Sequence, residues 1–172
     1  MDDVARLLAY EEIRQLAHRY ALAVDSRDLD TLVELFVDNV RVGREARGRD
    51  ALRADFERQL RGVGISFLQV GNHVIDLLDA ESAKGFVYCR AEIQDGERWF
   101  IQLIGYDDRY ALRKGHWRFV RRKHLLWYGA YLGENPLELG PANWPEHHVG
   151  RGTLPESWET WRRFWSRAGK EG

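Results

Sequence analysis

A carboxylate at position 25 interrupts an otherwise apolar helical stripe in "AHRYALAVDSRD", residues 17–28. Asp25 falls four residues after Ala21 and eight after Ala17, on the side where a charge is costly to bury. A carboxyl group in apolar surroundings has its pKa raised, which suits it to accept a proton near neutral pH. The competing reading is a buried acid tied to Arg27 or another arginine. Tyr20 precedes Asp25 by five residues, about 140° round a helix, so both can border one cavity without sharing a stripe. It can line that cavity, or simply be a core aromatic with a satisfied hydroxyl. Near the other end of the chain, "RRKHLLWY" alternates. Arg122, His124, Leu126 and Tyr128 take one face of a strand, and Arg121, Lys123, Leu125 and Trp127 take the other. A neutral histidine can accept a proton near pH 7, and an arginine can hold a phenolate, enolate or carboxylate.

These groups must be positioned by helices and then by strands. Ile13, Leu16, Ala17, Tyr20, Ala21 and Val24 recur at one-face spacing within a helix predicted over 4–25. A second helix is predicted over 28–36 with Asp28 as its N-cap, and a short strand over 39–43. A third helix covers 48–62, with Leu52, Phe56 and Leu60 in register and Gly62 as its stop. Four long segments follow at 65–79, 82–94, 98–113 and 116–132, rich in β-branched and aromatic residues and separated by "DAES", "DGE" and "KG". They read as antiparallel hairpins. Helices segregated before strands argue for an α+β fold, a curved sheet wrapping helices on its concave face. Gln102, Ile104 and Tyr106 share one face, as do Val87, Cys89 and Ala91, and both sets are candidate pocket walls. Arg41 is a further, weaker candidate. The "DDR" at 107–109 reads as the edge of a structural turn.

The last forty residues hold all four prolines and read as an irregular tail. The chain closes with a short helix carrying Trp158, Trp161, Phe164 and Trp165 on one stripe, which must cover the sheet mouth or a neighbouring subunit. A chain of 172 residues suits one domain. The formal charge of −1 gives no basic footprint for nucleic acid. No apolar run is long enough to cross a bilayer, and the acidic start "MDDVARLLAYEE" does not read as a signal peptide. A single cysteine, Cys89, rules out an internal disulfide and fits the cytoplasm; its thiol reads as core packing. Seven Trp, seven Tyr and seven Phe could line a pocket for a ring-shaped ligand. His147 and His148 are adjacent, a poor arrangement for one metal, and no HExxH, CxxC, G-x-G-x-x-G, phosphate loop or G-x-S-x-G occurs. No metal or nucleotide cofactor is expected.

The stretches "EEIRQLAHRYALAVDSRDLDTLVELFVDNV" (11–40), "GRDALRADF" (48–56), "VGNHVIDL" (70–77), "GYDDRYALRKGHWRFVRRKH" (105–124) and "LPESWETWRRFW" together resemble the SnoaL-like group of the nuclear transport factor 2-like superfamily, which includes scytalone dehydratase and hexachlorocyclohexane dehydrochlorinase. The resemblance implies a cone-shaped α+β barrel with an enclosed pocket. It also implies no cofactor, a small hydrophobic or aromatic substrate, and a homo-oligomer, a trimer before a dimer. Asp25 looks like the group's helix-one aspartate, which pairs with a histidine as a base dyad. That histidine lies four residues before an asparagine resembling Asn72, and here Leu68 occupies its place. His73 is one residue off, and only a β-bulge would turn it inward. The group's pattern also makes the Arg122–His124–Tyr128 face the inward one. His124 is then the replacement for the missing imidazole, held by Asp25 or Tyr128, and Arg122 either stabilises anionic charge or neutralises Asp25. The implied activity is that of a cofactor-independent lyase: syn dehydration first, then dehydrohalogenation or formaldehyde loss, with isomerisation chemically adjacent. The alternatives are a hydrophobic-ligand-binding protein and the small subunit of a ring-hydroxylating dioxygenase.

Overall fold

A computed structural model describes residues 2–133, positions 138, 140, 141 and 156, and residues 159–166. His147, His148, Trp158 and most of the proline-rich tail lie outside the described residues, as do the side chains of Leu126, Trp127 and Tyr128.

Helix α1 (Asp3–Ser26) starts where the Asp2 carboxylate accepts the Ala5 amide at 2.7 Å. It ends at Arg27, a non-glycine residue in the left-handed region at φ 59°. Its apolar stripe is buried through Ile13, Leu16, Ala17, Ala21 and Val24. Helix α2 (Leu29–Glu34) is capped by Asp28, as expected. The predicted strand at 39–43 is smaller than expected: β1 (Arg41–Val42) pairs only with β2 (Ala46–Arg47). Helix α3 (Arg49–Arg61) stops at Gly62.

Four long strands then form one antiparallel meander: β3 (Ser66–Leu77), β4 (Ser82–Asp95), β5 (Arg98–Arg113) and β6 (His116–Tyr131). Lys114 and Gly115, both at positive φ, close the β5–β6 hairpin tightly, as a two-residue turn requires. The sheet curves around α1. Ala17 has no bulk to hold the helix away, so it packs directly against Val87, Cys89 and Tyr106. Ile13 and Leu16 pack with Phe36, Tyr110, Trp117 and Phe119. The segment after α2 bridges to the free edge of β6 through Phe36 and Phe119. The chain is thus α+β, with helices on the concave face of a curved sheet.

Three irregularities of register decide what faces inward. In β3 the pairing jumps from Val70↔Cys89 to His73↔Val87, an extra residue that turns His73 to the inner face. In β6 one bulge falls between the pairs Arg109↔Arg121 and Tyr110↔Phe119. Another falls between Leu103↔Tyr128 and Ile104↔Leu126. The latter corrects the uniform alternation expected for β6. Position 128 pairs opposite Leu103, out of phase with Ile104. The turn expected at 107–109 is also absent. Asp107, Asp108 and Arg109 are paired to β4 on one side and β6 on the other, in the middle of the sheet.

The terminal helix α4 (Glu159–Ser166) buries Trp161 and Phe164. It sits at the C-terminal end of α1, where the Thr160 hydroxyl donates to the Ser26 carbonyl at 2.7 Å.

Candidate functional site

Among the described residues the interior holds two buried acids. Asp25 is 6% exposed. The Ser66 hydroxyl donates to one of its oxygens at 3.0 Å and the Leu68 amide to the other at 2.9 Å. Ser66 in turn accepts from the Arg27 guanidinium at 2.8 Å. Arg27 is itself buried, donates also to the carbonyls of Val24 and Gly64, and lies over the Trp161 ring. The helix end, the first residues of β3 and the terminal helix therefore meet at Asp25. Burial pushes its carboxyl up to about 6, against the pull of the Leu68 and Ser66 hydrogen bonds and the Arg27 charge. Arg27 is pushed down to about 10 by the same burial.

The second acid, Asp108, has no exposed surface. Arg122 clamps it with Nε at 3.0 Å and Nη2 at 2.7 Å, and the Tyr110 hydroxyl donates to it at 2.8 Å. The His73 Nε2 lies 3.0 Å from the same Tyr110 hydroxyl. A continuous network thus runs His73–Tyr110–Asp108–Arg122 across β3, β5 and β6. Burial pushes His73 down to about 4, so its ring is neutral at physiological pH. The Arg122 side chain is 4% exposed and lies 4.3–4.4 Å from the ring centroids of Tyr20, Tyr106 and Phe119. Such stacking suits a weakly hydrated guanidinium. Its Nη1 is buried without a hydrogen-bond partner, as is the His73 Nδ1. Space for His73 comes from Gly85. A Cβ there would meet the Val74 carbonyl at 2.9 Å, the Tyr110 ring at 3.1 Å and the His73 Nε2 at 3.2 Å.

Tyr20 stands between the two acids, with Phe36, Phe56, Tyr106 and Phe119 around it at centroid distances of 5.8–6.4 Å. Burial pushes its phenol up to about 12. Leu68, Cys89 and Tyr106 line the same inner wall, and Gln102 is half-buried opposite Gly129.

Other expected members are placed elsewhere. Arg122 does not neutralise Asp25; its partner is Asp108, directly across the β5–β6 pair. His124 pairs with Tyr106 on the inner face, with ring centroids 5.8 Å apart, and remains exposed. Burial of part of its ring lowers its pKa. Among the described residues no hydrogen bond joins it to Asp25, whose partners are Ser66 and Leu68. Asn72 is thrown outward by the bulge, exposed beside a groove of about 430 Å³ that Gln69, Tyr88 and Leu103 also line. Arg41 is exposed and bonds the carbonyls of Gly43 and Arg44 in its own hairpin. Among the described residues there is no group of three His, Cys, Asp or Glu that could hold a metal ion, and no helix long and apolar enough to cross a membrane.

Asp108, Tyr110 and Ser66 are the network members that the sequence reading passed over, whereas Arg27, weighed there as a partner of Asp25, reaches it through Ser66. The signal for two of them was present. Tyr106, Asp108 and Tyr110 alternate onto one face, opposite Arg122.

The fold has solved relatives. A hexachlorocyclohexane dehydrochlorinase LinA-type3 from Novosphingobium barchaimii LL02 aligns over 77% of this chain and 95% of its own, at 17% identity and a TM-score of 0.69. A scytalone dehydratase candidate from Novosphingobium aromaticivorans DSM 12444 aligns over 78% and 94%, at 19% identity and a TM-score of 0.67. Identities this low establish the shared fold alone. No curated protein matches the chain. The SnoaL-like domain model matches residues 5–123, well over half of the sequence, and the chain belongs to that family, within the nuclear transport factor 2-like superfamily.

Proposed function

We propose that the protein is a lyase that uses its own side chains to eliminate across a bond of a small cyclic or aromatic compound. The observation that carries this reading is the state of Asp25. It is a buried carboxylate pushed up to about 6, held by two neutral donors and, among the described residues, hydrogen-bonded to no cation directly. Such a group is deprotonated at pH 7 yet basic enough to take a proton from an activated carbon. The aromatic residues around Tyr20 offer apolar faces to a ring.

In this scheme an Asp25 oxygen removes the proton, the C–H electron pair forms the new double bond, and the adjacent C–O or C–halogen bond breaks with its pair. Where hydroxide leaves, the protonated Asp25 returns the proton from the same side, giving syn elimination of water. The Tyr20 phenol, kept protonated by burial, and the spare Nη1 of Arg122 stabilise charge developing on a substrate oxygen. His124, on the inner face beside Tyr106, borders the substrate.

The test is proton abstraction itself. Cyclic ketones, aryl alcohols and halogenated rings are incubated in D2O, with deuterium uptake and product formation followed by NMR and mass spectrometry. The wild type incorporates deuterium or eliminates with at least one class. Asp25→Asn lowers that rate by about 10²–10⁴-fold, the range for loss of a general base. A D25N protein as active as wild type sinks the proposal.

One observation favours a second reading. Both Asp25 oxygens are already hydrogen-bonded, and Leu68 stands where the related dyad has an imidazole. Asp25 would then be a clamp between helix and sheet in a hydrophobic-ligand-binding protein, and ligands would bind without chemical change in either variant.

A further inference from the structure

We infer that Asp108 sets the charge selectivity of this interior, so that it admits uncharged aromatic ligands and turns away their carboxylates. The inference rests on the proposal that a small ring compound binds beside Tyr20 and Arg122.

The argument begins with the charges that face the inside. Among the described residues these are two acids and two cations. Asp25 is linked to Arg27 through Ser66, and Asp108 is clamped by Arg122. The remaining titratable groups are neutral near pH 7: His73 is pushed down to about 4, His124 is lowered, and the thiol of Cys89 and the phenols of Tyr20, Tyr106 and Tyr110 are pushed up. The interior therefore balances to zero without a ligand. An arginine inside an aromatic cage would ordinarily mark an anion site. Here Asp108 takes the N–H of Nε and one N–H of Nη2, so the charge of Arg122 is already met, and the nitrogen left buried without a partner is Nη1.

A nitrogen whose charge is already met suits a neutral acceptor, a carbonyl, amide or ether oxygen. A carboxylate would bring a full charge, lose its hydration, and meet no uncompensated cation. It would also lie near the Asp108 carboxylate, whose charge acts on Tyr20 and Tyr106 at the same place. Asp108 touches no ligand in this account. It determines which ligands Arg122 can accept.

The experiment is a binding comparison between two isosteres, benzamide and benzoate, by calorimetry and thermal unfolding at low ionic strength and pH 7.5. The wild type is expected to bind benzamide at least about tenfold tighter, about 1.4 kcal/mol. Asp108→Asn keeps the shape and frees the Arg122 charge. It is expected to reverse the preference, gaining at least about tenfold in benzoate affinity, with benzoate but not benzamide raising its melting temperature. Benzoate binding to the wild type as tightly as benzamide overturns the inference. So does a folded D108N that gains nothing for benzoate. Should D108N not fold, the wild-type ratio decides alone. A wild type that takes neither compound while D108N takes benzoate upholds the charge assignment and removes small aromatic compounds from the proposed reaction. Binding of neither by either protein overturns the inference.

Discussion

Asp25 and Asp108 are both buried acids on the same concave face, and they differ in what holds them. Asp108 receives a guanidinium clamp and a phenol. Asp25 receives a hydroxyl and one amide, with its nearest cation one residue removed through Ser66. A carboxylate clamped by a guanidinium has its charge met by a direct partner. One desolvated against neutral donors is left basic. The contrast separates a residue suited to order the interior from one suited to act in it.

The largest effect expected from breaking this contrast is in the Asp108 region. Asp108→Ala leaves Arg122 buried without its partner, and costs about 3–5 kcal/mol in urea denaturation, the range for breaking a buried pair. A change below about 1 kcal/mol would mean that the aromatic cage alone holds the guanidinium.

Asp25→Asn should act in the opposite sense. The folded carboxyl titrates at about 6, above its unfolded value, so the folded state binds the extra proton between about pH 4 and 6. Wild-type stability relative to D25N therefore falls as pH rises through that window, by about 2–3 kcal/mol, and is flat above pH 7. Urea midpoints of both proteins at pH 4, 5, 6 and 7.5 check this; a gap that does not depend on pH would refute it. Function kept at such a cost in stability is what an active group leads one to expect. His73 supplies the mirror image. Its folded pKa is depressed to about 4, so the unfolded state binds more protons between about pH 4 and 6.5, and its contribution to stability is lost as pH falls through that window. Replacing it by Gln should flatten the acid limb of the stability profile, a smaller effect. Smallest is Thr160→Val, which removes one hydrogen bond to the Ser26 carbonyl and costs about 1 kcal/mol.

Much of this contrast could be read before any coordinates. The stripe from Ile13 to Val24 fixed the face on which Asp25 lies, and β-strand alternation put Arg122 and His124 on one face. Bulges were not legible, because an extra residue leaves the local composition unchanged and shows only in cross-strand register. His73 turned inward, and the register at position 128 shifted, for that reason. Asp108 was hidden differently. "DDR" has the composition of a turn, and only the phase set by Tyr106 and Tyr110 reveals a strand with an acid turned inward. The partner of Asp25 was hidden by distance, since Ser66 is 41 residues away and no local pattern joins them.

Arg27 carries a consequence for the order in which the molecule assembles. Its left-handed backbone is unfavourable for a side chain other than glycine. Its partners Gly64 and Ser66 lie 37 and 39 residues away, and Trp161 comes from the last helix. Contacts of such separation cost loop entropy before they give anything back, so the expectation is that they form after the rate-limiting step of folding. Substitutions at Arg27 or Trp161 should therefore leave the folding limb of a chevron in place and raise the unfolding rate. The corner that holds Asp25 would be the last part of the chain to lock and the first to come undone.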